Sequence, residues 1–208
     1  MKKLIIASSL ALVFATPAFA ETQTFDLAGF TRVSAAAGTT VNVKVGGDYS
    51  VVAESTGKGL EKLRVELVGD ELQIGRKHRT MSWGRSDRVT VTVTAPALSG
   101  LEVSSGASLD ATGVDAGSFE IEASSGGSLD VSGRCDALNV EVSSGGSIDA
   151  EGLLCRTAIA DASSGGNADI YASEGVTGDA SSGGNVDVHG NPKNVSKDTS
   201  SGGSVSVE

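Results

Sequence analysis

The chain is poor in the residues that usually build catalytic sites and membrane spans. It has 208 residues, of which 2 are His, 2 are Cys and 3 are Pro, and aromatic residues make up 4%. After the first twenty residues, no apolar run reaches the ~20 residues that a membrane helix needs. We therefore expect no membrane span. A catalytic nucleophile needs a base within reach, and because histidines are so few we also expect no enzyme and no bound cofactor.

The first twenty residues have the three parts of a secretory signal peptide. Lys2 and Lys3 form a basic start, and an apolar stretch of about a dozen residues follows them. Ala18-Phe19-Ala20 then matches a cleavage site of small residues. We therefore predict a signal peptide over residues 1–20, a mature chain from Glu21, and export to the periplasm, the cell surface or the medium.

Charge is divided unevenly along the predicted mature chain. Residues 21–94 carry ten Lys or Arg against nine Asp or Glu, whereas residues 95–208 carry four against seventeen. An acidic half of this kind repels polyanions. We therefore expect no nucleic-acid partner.

A short sequence motif recurs six times in residues 95–208, the acidic half of the chain. Ser-Ser-Gly begins at residues 104, 124, 143, 163, 181 and 200, at steps of 18 to 20 residues. Around each copy, apolar residues alternate with acidic ones, which is typical of strands with one buried face. A step of about 19 residues holds two or three short strands and no crossover helix, so the copies bury their apolar sides only by stacking. The repeat predicts an all-β, parallel β-helix (β-solenoid), right-handed because parallel connections have that preference.

Residues of one kind fall into columns when the copies are aligned. One acidic column contains Glu102, Glu122, Glu141, Asp161, Asp179 and Asp198, and a second contains Asp110, Asp130, Asp149, Asp169 and Asp187. Regularly spaced oxygen ligands suit Ca²⁺, so the second column is a weak alternative metal site. The word differs from that of Ca²⁺-binding β-rolls, and we expect a solvated face without a metal. The glycine pairs are expected to take positive φ at a tight corner.

The N-terminal part, residues 21–99, shows ordinary strand signals separated by glycine-containing turns. We expect it to form the first coils or a cap ahead of the six repeats in residues 100–208. Gly59–Lys62 is expected to form one short helical turn, and the sequence VGDEL a tight hairpin. Residues 21–208 would then be a single domain.

The two cysteines occupy equivalent positions in the repeat. Cys135 and Cys155 each lie eight residues before the next Ser-Ser-Gly. Equivalent positions on adjacent coils are about 4.8 Å apart at Cα, which is within disulfide range. Because an exported protein meets oxidising conditions, we predict a disulfide, with a reduced, buried pair as the alternative.

One basic stretch, residues 76–88, lies between two strand signals, and we expect it to form an exposed hairpin loop. Its candidate binding residues are Arg76, Lys77, His78, Arg79, Trp83, Arg85 and Arg88. Basic residues around an aromatic side chain can contact phosphate, sugar or anionic lipid. The alternative is a plain solvated loop that packs against the acidic rod.

The words Ala-Pro-Ala-Leu at residues 95–98 and the serial Ser-Ser-Gly copies carry a family resemblance. The pattern resembles the head GIN domain family of autotransporter-type adhesins over nearly all of residues 25–208. The resemblance implies a signal peptide followed by a β-helical domain. It also implies a non-catalytic, adhesin-like binding module of the cell envelope or surface, whose partner would be a surface glycan or an envelope component.

The alternative function is a self-associating structural scaffold of the periplasm, a homo-oligomer stacked end to end. The last copy of the repeat weakens this alternative. It places Lys197 in a column where Ile121 and Val140 are apolar, which indicates a capping end instead of an endless stack.

Overall fold

The computed structural model describes residues 21–56, 58–77 and 88–208. These residues form fifteen strands in one sheet and one short helix. The elements are β1 (Glu21–Phe25), β2 (Arg32–Ala35), β3 (Thr40–Val45), β4 (Ser50–Ser55), α1 (Gly59–Lys62), β5 (Leu63–Val68), β6 (Glu71–Arg76), β7 (Val89–Ala95), β8 (Gly100–Val103), β9 (Ser108–Ala123), β10 (Ser128–Val142), β11 (Ser147–Ala162), β12 (Asn167–Ala180), β13 (Asn185–His189), β14 (Asn194–Thr199) and β15 (Ser204–Val207).

The acidic half winds as a parallel β-solenoid, as the repeat predicts. The long strands β9 to β12 lie side by side, and equivalent positions face one another: Leu129 pairs with Leu109 on one side and with Ile148 on the other. β13 and β14 continue the stack on β12, and β15 continues it on β13. The solenoid has about five turns.

Apolar columns fill the interior of the solenoid. One inward column contains Leu101, Ile121, Val140 and Ala160, all of which are fully buried. Full burial of a Leu, Ile or Val side chain contributes roughly 1.5–3 kcal/mol. Since every coil repeats these contacts with its neighbours, stability is distributed along the stack.

Each coil turns at its Ser-Ser-Gly word. In the second copy, Ser125 and Gly126 have φ values of 50° and 72°, so the second serine and the first glycine take the left-handed conformation. The expectation that both glycines do so is wrong. The second glycine is needed for space, because a Cβ on Gly127 would lie 2.8 Å from the carbonyl oxygen of Val103 in the preceding coil.

A seventh corner precedes the six Ser-Ser-Gly words. Ala37 and Gly38 have φ values of 60° and 70°, matching the corners of the repeat. The strands on either side, β2 and β3, pair in parallel with β8 and β9. Residues 32–45 are therefore a first coil in which alanines replace the serines.

The segment between β3 and β8, together with β1, covers the N-terminal end of the solenoid. β6 and β7 continue the parallel stack on β2 and β3, whereas β5, β4 and β1 are added in antiparallel fashion. The N-terminal part thus forms both a first coil and a cap. The short helix at Gly59–Lys62 and the β5–β6 hairpin are as predicted.

The strands on either side of the basic stretch, β6 and β7, do not pair as the expected hairpin requires, and residues 78–87 between them lie outside the described residues. β6 pairs with β2 and β5, and β7 pairs with β3 and β4, so the two strands lie in different parts of the sheet. Adjacent strand signals in the sequence are usually neighbours in space, and here the cap separates them.

Candidate binding surfaces

One acidic column forms a continuous stripe along the outside of the solenoid. This acid stripe consists of Glu102, Glu122, Glu141, Asp161, Asp179 and Asp198, and each member pairs in register with the next. Neighbouring strands are about 4.8 Å apart, so the stripe presents one carboxylate at each rung.

A column of serines runs beside the acid stripe, and two shallow grooves follow these columns. The larger groove, about 290 Å³, is lined by the last three carboxylates of the stripe and by Ser163, Ser181 and Ser200. The smaller, about 150 Å³, is lined by the first four carboxylates and by Ser124, Ser143 and Ser163. The outer face thus repeats a carboxylate and a hydroxyl at each rung.

Glu122 lies in the acid stripe between Glu102 and Glu141. Burial raises the pKa of Glu122 above its usual range, and the neighbouring carboxylates, including Glu102 and Glu141, raise it further. Arg32 opposes this rise, since its Nη2 lies 3.3 Å from Oε1 of Glu122. Arg32 also forms an ion pair with Glu120.

The reach of Arg32 depends on a glycine. Arg32 in β2 pairs with Gly100 in β8, and Gly100 pairs with Glu120 in β9, so the guanidinium crosses an intervening strand. A Cβ on Gly100 would lie 2.8 Å from Nη1 of Arg32. Sequence reasoning missed this contact because the residues are 88 positions apart.

The second acidic column, the aspartate column, contains Asp110, Asp130, Asp149, Asp169 and Asp187 in register on adjacent strands. Burial raises the pKa of Asp130, and the neighbouring Asp149 and Asp110 raise it further. Burial also raises the pKa of Asp169, and the negative charge of the neighbouring Asp187 raises it further. Within the ranges that the structure describes, no three His, Cys, Asp or Glu residues are grouped as ligands of a metal ion.

The basic stretch is described at its two ends. Nη2 of Arg76 donates a hydrogen bond to the carbonyl oxygen of Ala37 (3.1 Å), and Nζ of Lys77 donates one to that of Glu61 (2.9 Å). Arg88, just before β7, is exposed. The other candidates, His78, Arg79, Trp83 and Arg85, lie outside the described residues. A binding role for this stretch stays a prediction.

A disulfide joins adjacent coils inside the solenoid. Cys135 in β10 and Cys155 in β11 are paired in register, with their Cα atoms 4.5 Å apart, and both are buried. Their equivalent positions in the repeat predicted this bond.

Two arginines on the outside connect neighbouring coils. Nε of Arg134 donates to Asp115 (3.0 Å), and Nε of Arg156 donates to Glu174 (2.9 Å). These hydrogen bonds lower the pKa of both carboxyls. All four side chains are more than half exposed, so the pairs contribute little to stability.

Stacked parallel coils, a filled interior and outward side chains that repeat at every rung define a capped β-solenoid protein. The chain belongs to the family described as "Putative auto-transporter adhesin, head GIN domain", whose model matches residues 29–192. The family resemblance carried by the repeats is therefore confirmed.

Two crystal structures described as a "putative adhesin" are similar to this chain. That from Bacteroides fragilis NCTC 9343 has a TM-score of 0.73 and 16% identity, over 91% of this chain and 97% of that chain. That from Parabacteroides distasonis ATCC 8503 has a TM-score of 0.55 and 16% identity, over 92% of this chain and 98% of that chain. At this identity the likeness shows the fold alone. No curated protein matches the chain. Among the helices in the described residues, none is long and apolar enough to cross a membrane.

Proposed function

We propose that the protein is exported and acts as a non-catalytic, adhesin-like binding module of the cell envelope or surface. The observation that carries this proposal is the filled solenoid with outer faces that repeat at each rung. Such a surface offers evenly spaced polar groups to an extended partner, such as a surface glycan or an envelope polymer.

Export is supported by three independent features. The predicted signal peptide directs the chain out of the cytoplasm, the disulfide suits an oxidising compartment, and the family is named for adhesins. Cell fractionation tests this part, combined with digestion of intact cells by an external protease. Recovery of the full-length chain, with residues 1–20 still attached, in the cytoplasm would contradict it.

The absence of catalysis is part of the same proposal. Carboxylates recur in every coil, which is expected of architecture and not of a singular catalytic site. The adhesin-like family and the β-solenoid fold fit a protein of this kind. Turnover of any member of a polysaccharide panel by the purified protein would contradict it.

The binding experiment compares the purified protein with a loop variant on an array of glycans, matrix proteins and isolated envelope polymers. The loop variant is Arg79→Ala with Arg85→Ala, which leaves the cap contacts of Arg76 and Lys77 in place. We expect the protein to bind, and the loop variant to bind at least about tenfold more weakly if the basic stretch carries the contact.

The matched control removes the same charge elsewhere. Arg134→Ala with Arg156→Ala takes two cations from the outside of the coils and should keep the affinity of the unmodified protein. An equal loss in both variants would assign the effect to net charge and not to the basic stretch. Failure to bind any partner on the array would contradict the adhesin-like function itself.

The alternative, a self-associating scaffold, has one structural observation in its favour. β14 and β15 each pair on one side, so the C-terminal coil presents strand edges. A scaffold would show oligomers that grow with concentration in light scattering without any ligand.

A further inference from the structure

The C-terminal coil ends in two strands whose outer edges meet no other strand in the described residues. β14 pairs with β12, and β15 pairs with β13. An exposed edge of this kind is a template for pairing with another chain, and proteins protect such edges with charged or inward-pointing residues. The protection of this edge does not depend on the proposed binding function.

A lysine occupies the last position of a core column. Along this column, Val140 faces Ala160, Ala160 faces Gly178, and Gly178 faces Lys197. The side chains shrink towards the C-terminal end, and Lys197 then replaces the apolar series with a long charged residue. Its place in this column directs the side chain towards the interior, and the side chain is exposed because no further coil in the described residues covers it.

The Lys197 side chain crosses the open end of the core. Its Nζ donates a hydrogen bond to the carbonyl oxygen of Val205 in β15 (3.3 Å). The Val205 side chain lies over Gly178, since a Cβ on that glycine would be 2.9 Å from Cγ1 of Val205. The Val205 side chain is buried, and the exposed Lys197 side chain reaches across to the backbone of the same residue.

The acceptor of this bond belongs to the open edge of β15. The amides of Ser204 and Glu208 donate to Gly184 and Val188, so alternate residues of β15 face β13. Val205 is one residue after Ser204, so its amide and its carbonyl group face away from β13. An added strand would need that carbonyl, which Lys197 already occupies.

We propose that Lys197 guards the C-terminal edge against tail-to-tail pairing with a second copy of the chain. A contact between the same ends of two copies, related by a twofold axis, would place the strand edges of one copy against those of the other. This contact would bury two ammonium groups and remove their hydrogen bonds to Val205.

The test removes the ammonium and keeps the stem. Lys197→Met should convert the monomer to a dimer in sedimentation equilibrium, with a dissociation constant at least about tenfold below that of the unmodified protein. The matched control is Lys193→Met, which removes the same charge from a position outside the core column. The control should remain as monomeric as the unmodified protein.

A second substitution checks that the dimer uses strand edges. Along β14 and the residue after it, every second amide faces β12, and the amide of Ser200 is one of these because it donates to the carbonyl oxygen of Ala180. Val195 is an odd number of residues away, so its amide faces the open edge. Val195→Pro removes one of these edge amides without removing a bond to β12. Added to Lys197→Met, it should return the protein to a monomer.

Four results would overturn the proposal. They are a monomeric Lys197→Met protein, equal dimerisation of the Lys193→Met control, a dimer that survives Val195→Pro, and loss of folding in both Lys197→Met and Lys197→Leu by circular dichroism. The last result would assign Lys197 to the stability of the coil and not to the protection of its edge.

Discussion

Single residues set how closely the coils approach, and Gly133 is one of the two tightest such points in the acidic half, with Gly203. Its φ is 143°, and a Cβ there would lie 2.2 Å from the carbonyl oxygen of Val114 in the preceding coil. The pairing of β9 and β10 shifts register at the same place, between Val131 and Gly133. A side chain at this position would strain its own backbone and also push the coils apart.

We expect Gly133→Ala to lower the free energy of unfolding by about 3 kcal/mol, through backbone strain and overpacking. Urea denaturation measures the change. Gly117→Ala is the control, because its Cβ would have no atom within 4 Å and its φ is not positive. The control should change stability by less than about 0.5 kcal/mol. Equal effects of the two substitutions would show that the close approach is not what requires glycine.

Arg32 acts at the same scale, as a clamp across three strands. Arg32→Ala removes the ion pairs with Glu120 and Glu122, and should lower the free energy of unfolding by about 1 kcal/mol, a value reduced by the partial exposure of the guanidinium. Arg134→Ala is the matched control, since it removes an exposed pair with Asp115 and should have no measurable effect. Similar melting curves for the two variants would contradict the role of the clamp.

At the scale of elements, stacking strands in register also stacks like charges. In the aspartate column, Asp130 has a raised pKa in the folded state, so the folded chain binds a proton there more readily than the unfolded chain. Its ionised form destabilises the fold at neutral pH, and this effect is relieved as the pH falls through the raised pKa. Asp169 and Glu122 act in the same direction.

The melting temperature should therefore rise as the pH is lowered from 7 towards the raised pKa values of these carboxyls. At still lower pH the rise should level off, because the column carboxyls are then protonated and the exposed arginine pairs of Asp115 and Glu174, whose pKa values are lowered, are lost at little cost in stability. Thermal melts across this pH range measure the rise and its levelling.

Asp130→Asn should flatten this rise and raise stability at neutral pH by about 0.5 kcal/mol or less, because one like-charge contact is removed. Asp48→Asn, outside the column, is the control and should leave the rise unchanged. A melting temperature that falls steadily from pH 7 downward in the unmodified protein would contradict this account.

At the scale of the whole molecule, the stack is modular because each coil contacts its neighbours. Deleting residues 163–180 removes one coil from corner to corner and joins Ala162 to Ser181 in the same phase of the repeat. We expect this shortened protein to keep its β-type circular dichroism and a cooperative melt, with lower stability.

Deleting residues 163–171 removes half a coil and should prevent folding, because it misaligns every following column. A folded half-coil deletion would contradict the modular description.

Some of these features follow from local pattern alone. The step of about 19 residues and the alternation of apolar and acidic residues predicted stacked strands, and the equivalent positions of Cys135 and Cys155 predicted their disulfide. These predictions succeed because strand side chains alternate between two faces, and because in-register stacking brings equivalent positions together.

Other features could not be predicted from local pattern. A first coil was expected in the N-terminal part, but its corner was not located, because Ala37 stands where later copies have serine although its backbone conformation is the same. The pairing of β6 with β7 that a hairpin at residues 76–88 requires was wrong, because β6 pairs with β2 and β5, and β7 with β3 and β4. Both depend on long-range pairing, which no neighbouring residue encodes.

The sequence by itself determined the solenoid, its inward and outward columns and the position of its disulfide, because a repeat of fixed length imposes the same contacts on every coil. Only the tertiary structure decided how the first coil is capped and which contacts the last coil makes. At the N-terminal end, antiparallel strands form a cap over the first coil. At the C-terminal end, Lys197 bonds to the edge of β15. Repetition stops at the ends, so contacts there arise from residues that the pattern does not relate.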